Sequence, residues 1–93
     1  MRAYELVALL PVEEDLYRKG RDSITEELVR QGAEIIKDDE LGERQLAYSV
    51  KNQMRARYGL YTIKIGPEKL SACEKSFKLN TSILKYLFVR KDD

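Results

Sequence analysis

The chain has 93 residues, 43% of them hydrophobic, which is enough for one domain with a single core. It has no histidine and a single cysteine, Cys73, which excludes the usual imidazole base, an internal disulfide and a cysteine-based zinc site. The formal net charge of +1 conceals a split, because residues 1–43 hold 6 basic and 12 acidic residues (net −6), whereas residues 44–93 hold 11 basic and 4 acidic (net +7).

The first part of the chain predicts a strand and then a helix. Apolar residues alternate along Arg2–Leu10, which is the two-residue period of a strand. Residues 13–31 predict one helix with acids in its first turn and Gly32 as its C-terminal stop. The Ser23-x-x-Glu26 spacing leaves open a second, shorter helix that begins in the middle of this segment.

The central part of the chain predicts an antiparallel hairpin. Its first strand opens at residues 33–37 and passes Gly42, where we expect a bulge or a bend. Its second strand spans residues 58–65, after a polar insert at residues 51–57 that is too short for a crossover helix. The predicted tip of the hairpin is cationic, since the insert carries Lys51, Arg55 and Arg57.

The last part predicts a second helix over residues 68–78 and a final strand over residues 83–90. Three apolar residues at helical spacing give this helix its inward face: Leu70, Cys73 and Phe77. The complete order is β-α-β-β-α-β, an α+β chain with both helices on one face of a four-stranded antiparallel sheet, which is the ferredoxin-like plan. We expect one domain over residues 1–93, with the last two or three residues as a loose tail.

Basic side chains near the predicted sheet are the clearest chemical signal. They are interleaved with Tyr48, Tyr58, Tyr86 and Phe88, a composition typical of nucleic-acid-binding surfaces. The alternative is a solvated sheet edge, where lysine discourages edge-to-edge pairing. The basic positions concerned are Arg2, Lys51, Arg55, Arg57, Lys85, Arg90 and Lys91.

Other chemistry has little support in the sequence. Cys73 lies on the apolar stripe of the second helix, which favours a buried structural thiol. The acidic run at residues 38–40 lacks the spacing of a calcium loop, and we interpret it as a solvated bend. We expect no catalytic residue, metal or cofactor and no small-molecule substrate. The lack of a signal peptide and of a membrane-spanning segment predicts a cytosolic chain.

Several runs of the sequence resemble the family of the sixth protein of the bacterial small ribosomal subunit. The similarity extends in order over nearly the whole chain, with Ser49 in place of a usual proline and Gly59 in place of a more typical apolar residue. It is carried by the runs Arg2-Ala3-Tyr4-Glu5, Gly32-Ala33-Glu34-Ile35, Leu41-Gly42-Glu43-Arg44-Gln45-Leu46-Ala47-Tyr48, Gln53-x-Arg55-Ala56-x-Tyr58, Pro67-Glu68 and Leu79-Asn80-x-x-Ile83-Leu84-Lys85-Tyr86-Leu87.

The resemblance implies a ferredoxin-like fold and a structural, non-catalytic role on the ribosome. It implies binding to small-subunit ribosomal RNA as a heterodimer with the small basic ribosomal protein eighteen of the same subunit. The matching basic positions are Arg2, Lys51, Lys85 and Arg90. Arg55 and Arg57 are added to this RNA-binding set from their charge and their predicted position at the hairpin tip.

Two other functions are alternatives to a structural role on the ribosome. A small enzyme of the acylphosphatase kind needs a phosphate-binding loop with arginine and asparagine, but residues 10–15 are acidic and lack both. A free-standing single-strand RNA binder is the stronger alternative. It requires aromatic rings exposed on the open face of the sheet for bases to stack on, with Tyr4, Tyr58 and Tyr86 as candidates.

Overall fold

Four strands and two helices follow one another in the predicted order βαββαβ. The computed structural model describes residues 1–91, so most of the predicted loose tail lies outside the described residues. The elements are β1 (Arg2–Leu10), α1 (Glu14–Arg30), β2 (Glu34–Val50), β3 (Gln53–Ile65), a 3-10 turn (Pro67–Lys69), α2 (Leu70–Leu79) and β4 (Lys85–Arg90). The strands form an antiparallel sheet in the order β2-β3-β1-β4, which confirms the ferredoxin-like fold.

Helix α1 is one continuous helix, so the alternative of a break at Ser23 is wrong. The Glu13 side chain caps its first turn by accepting hydrogen bonds from the backbone N–H groups of Asp15 and Leu16 at 3.2 and 2.8 Å. Gly20 marks a close contact instead of a helix end. A Cβ there would lie 2.6 Å from the Ser82 carbonyl oxygen, so only glycine lets α1 approach the start of β4 this closely.

The β2–β3 hairpin has a two-residue tip, and the predicted seven-residue insert is wrong. Lys51 and Asn52 form the turn with positive φ angles of 48° and 65°, and β3 begins directly after them at Gln53. Arg55 and Arg57 therefore lie within β3 and not at the tip. The predicted irregularity at Gly42 is confirmed, since the register between β2 and β3 shifts there and Gly42 has a φ of 92°.

The main core lies between the helices and one face of the sheet. Even-numbered residues of β1 and odd-numbered residues of β3 point into this core. Cys73 and Phe77 of α2 pack against them from the helix side, as predicted. Tyr86 and Phe88 of β4 complete this side, each packed against Phe77. The buried apolar residues are Tyr4, Leu6, Ala8, Leu10, Tyr17, Ile24, Leu28, Tyr61, Ile63, Ile65, Cys73, Phe77 and Ile83.

The opposite face of the sheet, called here the open face, is also apolar. A smaller buried cluster of Leu46, Ala56 and Leu84 lies next to the hairpin. Strand pairing extends this surface across the sheet, because Val7 pairs with Leu60 on one side and Leu87 on the other. Leu87 keeps 59% of its surface exposed and Val89 keeps 43%, so no element within residues 1–91 covers this part of the sheet.

Candidate nucleic-acid interface

All ion pairs within residues 1–91 join side chains of α1, β2 and β3. Even-numbered Asp38 and Glu40 of β2 lie beside α1, and the basic residues of α1 and β3 neutralise them. The acidic run at residues 38–40 is therefore part of a strand and pairs with basic side chains, and the predicted bend is wrong. The basic partners are Arg18, Arg21, Arg30, Lys37, Arg55 and Arg57.

Tyr17 lies at the centre of this network, between two arginines. The guanidinium of Arg57 stacks on the Tyr17 ring, and Arg57 Nη1 donates a hydrogen bond to Glu14 at 2.8 Å. Arg21 Nη1 donates to the Tyr17 hydroxyl at 3.1 Å, and the same hydroxyl donates to Glu40. These contacts join α1 to β2 and β3.

The charge states follow from these contacts. The hydrogen bond from Arg57, and then that from Arg18, lowers the pKa of the Glu14 carboxyl. Burial opposes the charged form of Arg57, but the hydrogen bond to Glu14 and the charges of Tyr17, Glu14 and Glu40 together outweigh it and raise the pKa of the guanidinium. Burial, followed by the hydrogen bond to Glu40, raises the pKa of Tyr17. All three groups keep their usual charge at neutral pH, which maintains the network.

The basic residues of α2 and β4 form no ion pair with any described residue. Three of the predicted RNA-binding positions lie on the adjacent strands β1 and β4. Arg90 pairs in register with Tyr4, two residues from Arg2, and Lys85 pairs with Leu9 at the other end of β1. Lys85 and Arg90 are separated by five residues, or about 17 Å along the strand. The exposed basic residues on this side are Arg2, Lys64, Lys69, Lys75, Lys78, Lys85, Arg90 and Lys91.

Lys51 joins this side of the molecule through the hairpin turn. Its Nζ donates a hydrogen bond to the Ile83 carbonyl oxygen at 3.0 Å, which holds the turn beside the start of β4. A lysine ammonium has three N–H groups, so two remain for another acceptor. The structure thus brings Lys51 close to Lys85, and it places Arg55 and Arg57 apart from them in ion pairs with Glu43 and Glu14.

The three candidate tyrosines, Tyr4, Tyr58 and Tyr86, do not form a stacking platform on the open face. Tyr4 and Tyr86 belong to the helix-covered side, where Tyr4 is buried and Tyr86 packs edge-on against Phe77 with ring centroids 5.6 Å apart. Tyr58 lies on the open side, partly buried in the smaller cluster. The arrangement does not supply the three exposed rings that the free-standing single-strand binder requires.

Cys73 is a buried thiol, as the sequence predicts. It is fully buried between α2 and the sheet, and it forms no disulfide. Burial, with a smaller contribution from the charges of Glu27 and Glu74, raises the pKa of the thiol to about 11. The side chain is therefore a neutral core residue at physiological pH.

The fold and the charge distribution define a small ferredoxin-like α+β domain with exposed basic residues on the edge strand β4 and its neighbour β1, and with an uncovered apolar sheet face. Within residues 1–91 there is no cluster of side chains suited to holding a metal ion. None of the helices described is long and apolar enough to span a membrane.

Comparison with known proteins identifies the family. The model of the family described as "Ribosomal protein S6" matches residues 3–90. The small ribosomal subunit protein bS6 of Treponema denticola is 44% identical over 93 residues, covering all of both chains, and that of Treponema pallidum (strain Nichols) is 38% identical over 92 residues, covering 99% of each. The crystal structure of 30S ribosomal protein S6 from Thermotoga maritima superposes with a TM-score of 0.87 at 18% identity, covering 97% of this chain and 87% of that one, which supports the fold.

The chain belongs to the ribosomal protein S6 family. Members of this family are structural ribosomal proteins and not enzymes, and they work in the cytoplasm. Family membership confirms the resemblance read from the sequence.

Proposed function

We propose that the chain is a structural component of the bacterial small ribosomal subunit and binds small-subunit ribosomal RNA as a heterodimer with small-subunit ribosomal protein eighteen. The observation that carries this proposal is the separation of its basic residues into two groups. Among residues 1–91, six of the nine basic residues of α1, β2 and β3 pair with carboxylates, the exceptions being Lys19, Arg44 and Lys64, whereas all four of α2 and β4 are exposed without a carboxylate partner. A cationic surface of this kind attracts a polyanion.

The RNA contacts in this proposal are made to phosphates along β1 and β4. Arg2 and Arg90 lie near one end of β1 and β4, and Lys85 and Lys51 lie near the other end, about 17 Å away along the strand. Lysine and arginine at such spacing neutralise phosphates whatever the base sequence. The RNA itself then supplies specificity through its folded shape.

Arg55 and Arg57 are secondary members of the proposed interface. The Arg55 side chain keeps 50% of its surface exposed, so RNA competes there with a single exposed carboxylate, Glu43. Arg57 keeps 25% exposed and binds both a carboxylate and the Tyr17 ring. Contact between RNA and Arg57 requires the loss of those interactions. Arg57 is therefore expected to contribute least among the proposed RNA-binding residues.

Protein eighteen covers the open face of the sheet in this proposal. RNA and a partner protein that bind together need two adjacent surfaces, and the exposed apolar residues Leu87 and Val89 lie on the same strand as Lys85 and Arg90. Contiguous exposed apolar surface is typical of protein–protein interfaces. A net charge of +1 also makes binding to RNA alone weak, so that a basic partner has to supply much of the electrostatic attraction.

The test of RNA binding is a filter-binding titration with a small-subunit RNA fragment across salt concentrations, with and without protein eighteen. Replacing Arg2, Lys85 and Arg90 with alanine should lower the salt slope of the ternary complex by about 2 to 3, since each phosphate contact contributes about 0.7 to 0.9. A control that replaces Arg18, Lys19 and Lys37 removes the same charge from α1 and β2 and should leave the slope unchanged. Equal slopes for the two triple variants, or tight and salt-insensitive binding by the isolated chain, would contradict the proposal.

The test of the partner surface is Leu87→Glu, which places a charge on the exposed apolar part of the open face. Titration calorimetry with protein eighteen should show at least a tenfold loss of affinity, whereas Leu79→Glu, on an exposed residue of α2, should bind as the wild type does. Unchanged affinity in Leu87→Glu would place the partner elsewhere. Self-association of the wild-type chain that Leu87→Glu abolishes, with the affinity for protein eighteen unchanged, would assign the face to a second copy.

A further inference from the structure

A cleft of about 350 Å³ lies where the hairpin turn, the last turn of α2 and the start of β4 meet. Each of these three elements contributes a lysine to it. Phe77, Ile83, Leu84 and Tyr86 form the rest of its lining, and none of the described residues that line it is acidic. Its volume lies at the lower end of the range for small ligand sites. The three lysines are Lys51, Lys78 and Lys85.

Two other clefts on the molecule contain acidic residues. The groove along the outer side of α1 is lined by Asp15, Asp22 and Glu26 beside Arg18 and Lys19. The cleft between α1 and β2 contains Glu14, Asp22, Asp38, Asp39 and Glu40 together with three arginines. The cleft at the hairpin turn has a charge of +3 from the residues that line it, so an anion placed there meets no repulsion from its walls.

Lys51 is already held in position for this role. Its hydrogen bond to the Ile83 carbonyl oxygen, 3.0 Å long, fixes the ammonium at the wall of the cleft and leaves two N–H groups for an acceptor. The side chains of Lys78 and Lys85 are exposed and reach the cleft from its other sides. Flexible point charges of this kind accommodate a phosphate without the planar geometry that arginine requires.

We propose that this cleft binds a single phosphodiester group of RNA, held jointly by Lys51, Lys78 and Lys85. The inference rests on the proposed function and adds to it a specific contact, in which Lys78 of α2 binds the same phosphate as Lys51 and Lys85. The half-buried Tyr86, packed against the buried Phe77, provides an apolar wall against which the sugar of the same nucleotide packs. Because one phosphate is shared, the lysines act together.

The test compares Lys78→Ala, Lys85→Ala and the double variant in the salt titration with RNA and protein eighteen. If both lysines hold the same phosphate, the double variant loses about 0.7 to 0.9 of the salt slope, and the two single losses do not add up to twice that amount. Lys78→Arg keeps the charge and should keep the slope. Lys19→Ala removes a lysine from the acidic groove on α1 and should behave as the wild type. Lys51 is left intact because its alanine variant also loses the bond to Ile83.

The outcomes separate this inference from the proposed function. Failure of the wild-type chain to bind RNA with its partner would contradict both. Wild-type binding with no loss of slope in the double variant would overturn the cleft alone, and a loss of about 1.4 to 1.8 would mean two separate phosphates. Adenosine monophosphate that binds the wild type but not Lys78→Ala, with RNA affinity unchanged, would assign the cleft to free nucleotides. A loss of affinity for protein eighteen without RNA present would assign it to an acidic segment of the partner.

Discussion

The guanidinium carbon of Arg57 in β3 lies 3.4 Å from the centre of the Tyr17 ring in α1. The two residues are forty positions apart in sequence, so this contact helps to hold α1 on the sheet. The Tyr17 side chain is nearly buried, which limits competition from water for the stacked cation. The charge of Arg57 therefore contributes to the stability of the fold.

Arg57→Ala should lower the free energy of unfolding by about 1–2 kcal/mol, the size expected for a partly desolvated cation–π contact. This change in the free energy of unfolding can be measured by urea denaturation, with circular dichroism as the signal. Arg55→Ala is the matched control, since Arg55 lies two residues earlier on the same strand and pairs with one half-exposed carboxylate. The Arg55→Ala substitution should lower the free energy of unfolding by less than about 0.5 kcal/mol. Equal costs for the two variants would show that the stacking on Tyr17 contributes nothing.

Tyr61→Phe should leave stability unchanged or raise it by up to about 1 kcal/mol. The Tyr61 hydroxyl is buried and has no hydrogen-bond partner among the described residues, so its removal relieves an unsatisfied polar group. Tyr17→Phe makes the same chemical change where the hydroxyl does bond, to Arg21 and Glu40, and should cost about 1–2 kcal/mol. A large loss in Tyr61→Phe, measured by thermal unfolding, would mean that the hydroxyl has a partner in solution.

Leu28→Ala and Phe77→Ala should each lower the free energy of unfolding by roughly 2–5 kcal/mol, because both side chains are buried between the helices and the sheet. Equilibrium denaturant melts provide the measurement. Glu5→Gln, on the opposite face of β1, is the surface control and should change stability by less than about 0.5 kcal/mol. A small effect in all three variants would contradict the position of the core.

Cys73 should make the fold sensitive to alkaline pH. Burial raises the pKa of its thiol from 9.0 to about 11, so the unfolded chain releases this proton at a lower pH than the folded chain does. The stability from this group is fully present below pH 9 and is lost as the pH rises towards 11. Cys73→Ser should be modestly less stable at neutral pH, still form the RNA complex, and lose less stability than the wild type between pH 9 and 11.

Urea midpoints at pH 8, 9, 10 and 11 for the two proteins measure this difference. Tyr61, whose pKa is also raised by burial, titrates in both proteins and cancels in the comparison. Parallel curves would contradict the prediction. A folded Cys73→Ser protein that no longer binds RNA with its partner would give the thiol a functional role that its position in the core does not suggest.

Most of the fold could be predicted because the apolar residues of its strands and helices recur at the spacing typical of each. The bounds of β1 match the alternation of its apolar residues, and the inward face of α2 matches its helical spacing. The start of β3 was missed although Met54, Ala56 and Tyr58 alternate with polar residues from Gln53 onward. The basic side chains within that alternation suggest a loop, because their partners, Glu43 on β2 for Arg55 and Glu14 on α1 for Arg57, are brought beside them only by the fold.

The candidate interface was less predictable than the fold. Charge alone grouped Arg55 and Arg57 with Lys51, but only the folded chain shows which cations have carboxylate partners. The sequence does not mark Lys78 as a binding residue, since a lysine is common in the last turn of a helix, at the negative end of the helix dipole. Its relation to Lys51 and Lys85 depends on how the hairpin turn, α2 and β4 meet in space.

The irregular register of β2 affects how readily this strand can pair with another molecule. β2 is a 17-residue strand at the border of the sheet, and a long regular border exposes backbone groups that can recruit another molecule into a growing fibril. Three register shifts, one of them at Gly42, interrupt the pairing of this strand with β3 and distort its outer side. The interrupted pairing makes this border a poorer template for the border strand of a second molecule.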